Sequence, residues 1–313
     1  MFVLVALLVG VPYDYGPVHS SEMEKSMSNN FNNPPEVLEA NIEACKVKAE
    51  LPLLKMILLG ILAGMFIAIG AQASSLASHD ISNVGLARTL TGAIFPVGLM
   101  MIVLVGGELF TGNTMILNAV LQKHITWTQY ARNLAVVFLS NLAGAGIIAL
   151  LVSLSGQWNY TSGALGAYTI KIAFTKANLD FSTAFFSSIL CNIIVCAAVL
   201  MAISAKDVAG KILAIFFPIF AFALSGFEHC VANMYYIPAG LLAKLNPVYV
   251  QKAEEIYGIT GDQLQSLSLS GMAHNLVPVT IGNILGGSIF IGVALLLIHK
   301  KVKQSSGCSR NKK

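Results

Sequence analysis

Long apolar runs are the feature that most restricts how this chain can fold. Five runs have about the 20 residues that an α-helix needs to cross a bilayer. They are 52–75, 131–154, 181–204, 211–243 (with an interruption) and 276–298. A sixth region, 90–121, is apolar at both ends and polar in its middle. Only 11% of the residues are charged, whereas an ordinary soluble domain has about 25%. The sequence predicts an all-α membrane protein with six transmembrane helices.

The distribution of basic residues predicts the orientation of these helices. If the N-terminus is cytoplasmic and the six spans alternate, 14 of the 19 Lys and Arg residues lie on the cytoplasmic side and 5 on the outer side. Cytoplasmic loops generally carry such an excess. We therefore expect a multi-pass protein of the cell membrane with both termini in the cytoplasm. The net charge of +4 reflects mainly a basic C-terminal tail near anionic lipid, so nucleic-acid binding is not expected.

The chain divides into four predicted regions. Residues 1–34 form an extra, flexible N-terminal tail, with a weak signal-like segment as the alternative reading of its short apolar start. Residues 35–51 are charged and mildly amphipathic, which predicts a helix along the cytoplasmic interface. Residues 52–298 form the six-helix pore domain, and 299–313 are a basic cytoplasmic tail. The five cysteines include no CxxC pair and are read as small buried apolar residues.

Two of the predicted spans contain similar interruptions. The second includes Glu108 and, five residues later, Asn113; the fifth includes Glu228 and, again five residues later, Asn233. Each Glu follows a glycine closely, and the spans that come next share a partial match between 140–145 and 282–287. We therefore predict a 3+3 inverted repeat with helices 2 and 5 broken.

Broken helices in corresponding places of two halves indicate a transport site. A break frees backbone N–H and C=O groups that lipid cannot bind, so the broken stretch must line a polar cavity or pore. The N-terminus of a half-helix carries partial positive charge, which favours an anion.

Three ionisable residues lie in the middle of predicted spans, all at these interruptions: Glu108, Glu228 and His229. Such residues are candidates for function because burying them in a membrane is costly. His229 either ties the broken backbone together or offers a hydrogen bond or proton to a passing carboxylate. A carboxylate would repel an anion, so the two glutamates are expected to accept from freed N–H groups or to orient a neighbour such as His229. The membrane-embedded amides, Asn113, Asn233 and Asn283 among them, are expected to satisfy backbone groups or bridge helices.

Three motifs, 108–114, 226–234 and 275–283, resemble the formate/nitrite transporter family. The resemblance runs from about Pro35 to Ile298 with six spans in order. It implies an aquaporin-like subunit that assembles into a homopentamer and conducts small anions across the lipid bilayer.

The resemblance also implies roles for individual residues. His229 matches the central pore histidine, and Thr111 matches a hydroxyl in the interrupting loop that faces the pore. The other implied positions are the loop residues Leu109 and Phe110, the pore-lining Asn192 and Val195, the cytoplasmic constriction of Leu99 and Leu109, the outer constriction of Phe95 and Phe222, and Lys176 in the outer vestibule.

The implied substrate is a small monovalent weak-acid anion. Formate is preferred on the details of the motifs, and nitrite, hydrosulfide, acetate and lactate remain as alternatives. A weak acid suits such a pore because protonation, by His229 or by water, gives a neutral species that crosses apolar constrictions easily. Proton co-transfer is thus a hypothesis at this point, and a carrier with alternating access uses the same residues as a channel.

Two other classes of protein fit the sequence poorly. An aquaporin-like channel for neutral solutes needs paired Asn-Pro-Ala stretches, whereas Asn33-Pro34 and Asn246-Pro247 lie outside the predicted membrane segments. An intramembrane enzyme needs converging metal ligands or a cofactor motif, and the sequence has neither HExxH nor GxGxxG. No enzymatic activity, cofactor or metal is therefore expected. Asn159 lies in a glycosylation pattern that would matter only in a eukaryote.

Overall fold

The computed structural model describes residues 31–299. The predictions for the N-terminal tail up to residue 30 and for the basic tail after residue 299 lie outside the described residues. Within the described range the regular structure is helical, with one isolated β-bridge between Phe31 and Ala205.

Fourteen α-helices follow one another in the described part of the chain, and they are numbered here in order. They are α1 (Pro34–Ala49), α2 (Leu53–Ser78), α3 (Val84–Ile94), α4 (Val97–Val105), α5 (Phe110–Asn113), α6 (Leu117–Leu121), α7 (Trp127–Leu154), α8 (Ala164–Ala177), α9 (Phe181–Ser204), α10 (Val208–Ser225), α11 (Cys230–Ala243), α12 (Pro247–Tyr257), α13 (Leu269–Leu285) and α14 (Ala294–His299). A π-helical stretch, Gly286–Val293, joins α13 to α14 without interruption.

Six helical stretches within residues 31–299 are long and apolar enough to cross a membrane. They are α2, the combined α3–α4, α7, α9, α10 and the continuous stretch from α13 to α14. Their number agrees with the six predicted spans, and the chain is a multi-pass membrane protein. α1, which corresponds to the predicted interfacial helix, begins at a capping box between Asn33 and Glu36.

The second and fifth spans differ in extent from the apolar runs 90–121 and 211–243. The second begins earlier, because Asn83 caps α3 through its side chain, and it ends at Val105. The fifth ends at Ser225. Gly106 (φ +110°) and Gly226 (φ +69°) follow these ends in conformations that favour glycine. The apolar residues beyond them belong to shorter helices, α5 and α6 in one case and α11 in the other.

Glycines allow the long helices to approach closely. In the pair α2–α7, Gly64 packs on the backbone carbonyl of Asn141 and Gly144 on that of Ile61. In the pair α9–α13, Gly282 lies on the carbonyl of Phe185 in the same way. A Cβ atom at any of these glycines would overlap backbone. Close packing at small residues is a usual means of association for membrane helices, and it brings the two non-helical stretches after Gly106 and Gly226 into the interior.

Candidate functional site

The backbone groups freed at the two non-helical stretches are bound by buried amide side chains. Asn141 accepts from the N–H of Phe110 at 2.9 Å and donates to the carbonyl of Glu108 at 2.9 Å. Asn283 accepts from the N–H of Cys230 at 2.9 Å and donates to the carbonyl of Glu228 at 3.1 Å. Both amides are fully buried. Each donates in addition to a neighbouring long helix, Asn141 to the carbonyl of Gly60 and Asn283 to that of Ser188. The two stretches thus satisfy their polar groups inside the protein, as a membrane requires.

The carboxylates of Glu108 and Glu228 do not bind these freed N–H groups, in contrast to one of the roles expected from the sequence. Each instead meets a lysine and an asparagine. Glu228 accepts from Lys176 Nζ at 2.7 Å and from Asn233 Nδ2 at 2.7 Å. The physical reason is charge: a buried carboxylate needs a cation and further donors, which a single amide N–H does not provide.

Glu108 has a corresponding set of partners. Asn113 Nδ2 donates to it at 2.6 Å, and Lys48 Nζ lies 3.4 Å from its other oxygen. Lys48 also donates to Asn113 Oδ1 at 2.8 Å. Sequence reasoning missed Lys48, which belongs to α1 and was counted only among the cytoplasmic basic residues. Lys48 on α1 therefore holds the first polar stretch in place.

His229 is bound at both ring nitrogens. As the N-cap of α11, it accepts the N–H of Ala232 at Nδ1, at 3.1 Å. A backbone N–H can only donate, so Nδ1 is unprotonated and the ring proton is on Nε2. Nε2 lies 3.0 Å from Thr111 Oγ1 and is the donor of that hydrogen bond. His229 is 2% exposed. It is therefore a neutral ring that ties α11 to α5.

The other loop residues predicted from the resemblance are buried in supporting contacts. The Phe110 ring packs edge-on against Phe138, with 5.2 Å between ring centroids. Asn192 Nδ2 donates to the carbonyl of Thr111 at 3.1 Å and to that of Asn283 at 2.6 Å. Asn192 thus holds α5 in place at Thr111.

A cavity of about 580 Å³ opens beside His229. Among its lining residues, Phe95 and Phe222 are in edge-to-face contact, with 5.5 Å between ring centroids, and Phe222 lies 5.8 Å from the His229 ring. Six of the predicted site residues line the cavity: Phe95, Lys176, Phe222, Glu228, His229 and Asn233. The others are buried and do not line it: Leu99, Glu108, Leu109, Phe110, Thr111, Asn113, Asn192, Val195 and Asn283.

Two further cations line the cavity that sequence reasoning did not select. Arg88 on α3 and Lys171 on α8 were counted only among the outer basic residues. Lys171 Nζ lies over two aromatic rings, 5.4 Å from the centroid of Tyr168 and 5.0 Å from that of Tyr257. Burial and, secondarily, repulsion by Arg88 lower the pKa of Lys171 from its ordinary value. No local sequence motif marks either residue, since only the fold brings α3, α8 and α12 together.

Fold and site together define a class: a multi-pass membrane protein in which two polar interruptions are bound inside a helical bundle, next to a cavity lined by basic residues. A family model described as formate/nitrite transporter matches residues 35–297. The chain belongs to the formate/nitrite transporter family.

Relatives in this family are named for formate transport. The chain is 35% identical over 285 residues to a "Probable formate transporter" of Methanothermobacter thermautotrophicus, covering 85% of this chain and 96% of the relative. It is 41% identical over 212 residues to "Formate channel FocA" of Haemophilus influenzae, covering 67% and 73% respectively. A solved structure titled "Pentameric formate channel with formate bound" superimposes with a TM-score of 0.68 at 33% identity, covering 79% of this chain and 97% of that one.

Proposed function

We propose that this protein is a homopentameric channel for formate and other small weak-acid anions, with a pore in each subunit. The observation that carries the proposal is the cation-lined cavity of about 580 Å³, which ends at Phe95, Phe222 and the neutral, hydrogen-bonded His229. The similarity to a pentameric formate channel supports the substrate and the assembly. With both termini in the cytoplasm, as the basic residues indicate, the cavity opens to the outside.

The two sets of polar contacts support an inverted 3+3 repeat with helices 2 and 5 broken. Asn141 and Asn283 bind their stretches by the same three kinds of hydrogen bond. Lys48 with Glu108 corresponds to Lys176 with Glu228. Three spans per half require the second half to enter the membrane from the opposite side, and the breaks then meet near the midplane.

The apolar constrictions select for weak acids. Moving a bare carboxylate into a medium of low dielectric constant costs of order 20 kcal/mol in the idealised limit. We assign the outer constriction to Phe95 and Phe222 and the cytoplasmic one to Leu99 and Leu109. Thr111, Phe110, Asn192 and Val195 would form or support the pore between them. Protonation converts formate into a neutral acid that crosses these residues at far lower cost, whereas chloride gains nothing because its acid is strong.

In this proposal water in the outer cavity protonates the substrate and the hydroxide that remains returns to the external solution, while His229 supplies a hydrogen bond. A neutral imidazole cannot give up its only N–H without becoming an anion. To act as an acid, His229 would first need a second proton on Nδ1, which accepts the N–H of Ala232. Protonation there would remove the cap of α11. The neutral ring keeps its proton and can instead exchange hydrogen-bond partners, so that Nε2–H donates to a carboxylate oxygen in place of Thr111.

The test is a flux panel with the full chain in proteoliposomes. Formate, nitrite, hydrosulfide, acetate, lactate and chloride are compared at several external pH values. We expect formate flux to rise as the external pH falls and chloride flux to be negligible. Equal flux of chloride and formate would contradict the weak-acid mechanism, and faster transport of nitrite, hydrosulfide or lactate than of formate would change the assigned substrate.

Variants at His229 separate its hydrogen bonding, including the cap of α11, from a role in proton transfer. Asparagine can cap a helix and donate a hydrogen bond but cannot act as an acid in this pH range. We expect His229→Asn to keep the pH dependence of formate flux, with a reduced rate, and His229→Ala to lower the rate further. A flux in His229→Asn that no longer responds to external pH would assign the proton transfer to His229.

A further inference from the structure

The cations of the outer cavity are not equivalent. Lys176 is already paired, with its Nζ 2.7 Å from Glu228 and its side chain 15% exposed. Arg88 and Lys171 have no carboxylate within ion-pair distance among residues 31–299. The positive charge that a cavity ligand can meet is therefore that of Arg88 and Lys171, and not that of Lys176, which the family resemblance singles out.

Both cations without a carboxylate partner among residues 31–299 contact neighbouring residues of the cavity, although Arg88 is exposed. The guanidinium of Arg88 packs directly on Gly226, the glycine at the turn that ends α10, where a Cβ atom would overlap it. Lys171 Nζ lies over the rings of both Tyr168 and Tyr257, an arrangement that stabilises an ammonium group by cation–π interaction. The two residues come from α3 and α8 and line the same cavity. Two like charges that line one cavity repel each other, and an anion bound between them relieves that repulsion.

We propose that Arg88 and Lys171 form a binding site for a small organic monocarboxylate at the mouth of the pore, before the Phe95–Phe222 constriction. The fork of a guanidinium matches the two oxygens of a carboxylate, and the ammonium group of Lys171 adds a third donor. Tyr168 and Tyr257 also line the cavity, and the ring surface that Lys171 does not cover gives the organic part of the ligand an apolar wall. At about 580 Å³ the cavity is larger than formate requires, so it also accepts an aromatic carboxylate that cannot pass the two contacting phenylalanines.

The role of the Arg88–Lys171 site in recruiting a substrate for transport rests on the proposed channel function, but the binding of a carboxylate there does not. The first experiment is therefore equilibrium binding of radiolabelled benzoate to the purified full-length protein. We expect Arg88→Gln and Lys171→Gln each to weaken binding about tenfold, the loss typical of one charge-assisted contact. Arg88→Lys should recover part of the affinity because it keeps the charge but loses the fork.

Lys252→Gln is the matched control. Lys252 lies on α12, as Tyr257 does, but it pairs with Glu255 at 2.9 Å and does not line the cavity. The substitution removes the same charge from the same end of the molecule, so benzoate binding should stay at the wild-type level. Wild-type affinity in both cavity variants, or an equal loss in Lys252→Gln, would overturn the proposal.

Formate uptake provides the second readout, in cells that express the full chain. Arg88→Gln and Lys171→Gln should raise the KM for external formate while the maximal rate stays near wild type, and external benzoate should inhibit the wild type competitively. A fall in maximal rate without a change in KM would place both residues in the pore instead and refute the site. If the wild type binds benzoate through Arg88 and Lys171 but carries no formate, the proposed function fails and the binding site stands.

Discussion

Asn283 offers a quantitative test of how the second polar stretch is held. Its amide makes three buried hydrogen bonds, one from the N–H of Cys230 and two to the carbonyls of Ser188 and Glu228. Asn283→Ala removes all three and leaves those backbone groups without a partner. Hydrogen bonds between membrane helices contribute about 0.6 kcal/mol on average and about 1.7 at most. Three of them give an expected loss of about 2 to 5 kcal/mol in the free energy of unfolding.

The assay is equilibrium unfolding of the full-length protein in detergent micelles. Asn178→Ala is the matched control, because the exposed amide of Asn178 also donates to a backbone carbonyl, that of Phe174, and to Ser266. Its loss should stay within about 0.5 kcal/mol, as is usual for surface substitutions.

A second variant separates the direction of the hydrogen bonds from the volume of the side chain. Asn283→Asp keeps an acceptor for the N–H of Cys230 but turns the donor toward Ser188 and Glu228 into another acceptor. We expect it to be at least as destabilising as Asn283→Ala, because it places an oxygen against two carbonyl oxygens. If Asn283→Ala costs no more than the surface control, the amide does not hold the stretch and the reasoning is refuted.

Three further substitutions test packing, charge and the constriction. Gly144→Ala should lower unfolding stability by about 1 to 3 kcal/mol because its Cβ would overlap the neighbouring helix, whereas Gly146→Ala, which meets open space, should be neutral or stabilising in the same unfolding assay. Lys48→Met should lower the melting temperature clearly more than Lys46→Met, because only Lys48 has a buried carboxylate partner; equal effects would contradict this. Phe95→Ala should raise formate flux and admit larger carboxylates in the proteoliposome assay, and unchanged selectivity would remove this ring from the outer constriction.

The number of spans could be read from the sequence because membrane helices need long apolar runs, a requirement that does not depend on packing. Their ends were less predictable. The run 211–243 shows an interruption at Glu228 and His229, but hydropathy does not give the bounds of the break, where one helix ends at Ser225 and the next begins at Cys230. The first helix ends where Gly226 takes a φ of +69°, and a hydropathy pattern does not record backbone conformation.

Part of the candidate site could also be predicted from the sequence. His229 and the two glutamates stand out in the sequence because charged and titratable groups are rare in spans. Lys48, Arg88 and Lys171 are basic residues near span ends, and many such residues are only solvated. Their roles depend on distances between elements that are far apart in the chain, such as α1 with the stretch before α5. The family resemblance could identify Lys176, but it could not show that its charge is paired with Glu228.

The two polar stretches are held alike but differ in the residue that precedes the next helix. Leu109 precedes α5 without a capping side chain, whereas His229 caps α11. The one hydrogen bond that the His229 ring can still donate goes to Thr111, which belongs to α5, the helix without a capping side chain. A substitution of Thr111 by valine would therefore leave α11 capped and free the Nε2–H. A buried donor without a partner is costly, so the hydrogen bond to Thr111 keeps the His229 ring in position. A passing anion can replace Thr111 as the acceptor, since the donor then stays paired.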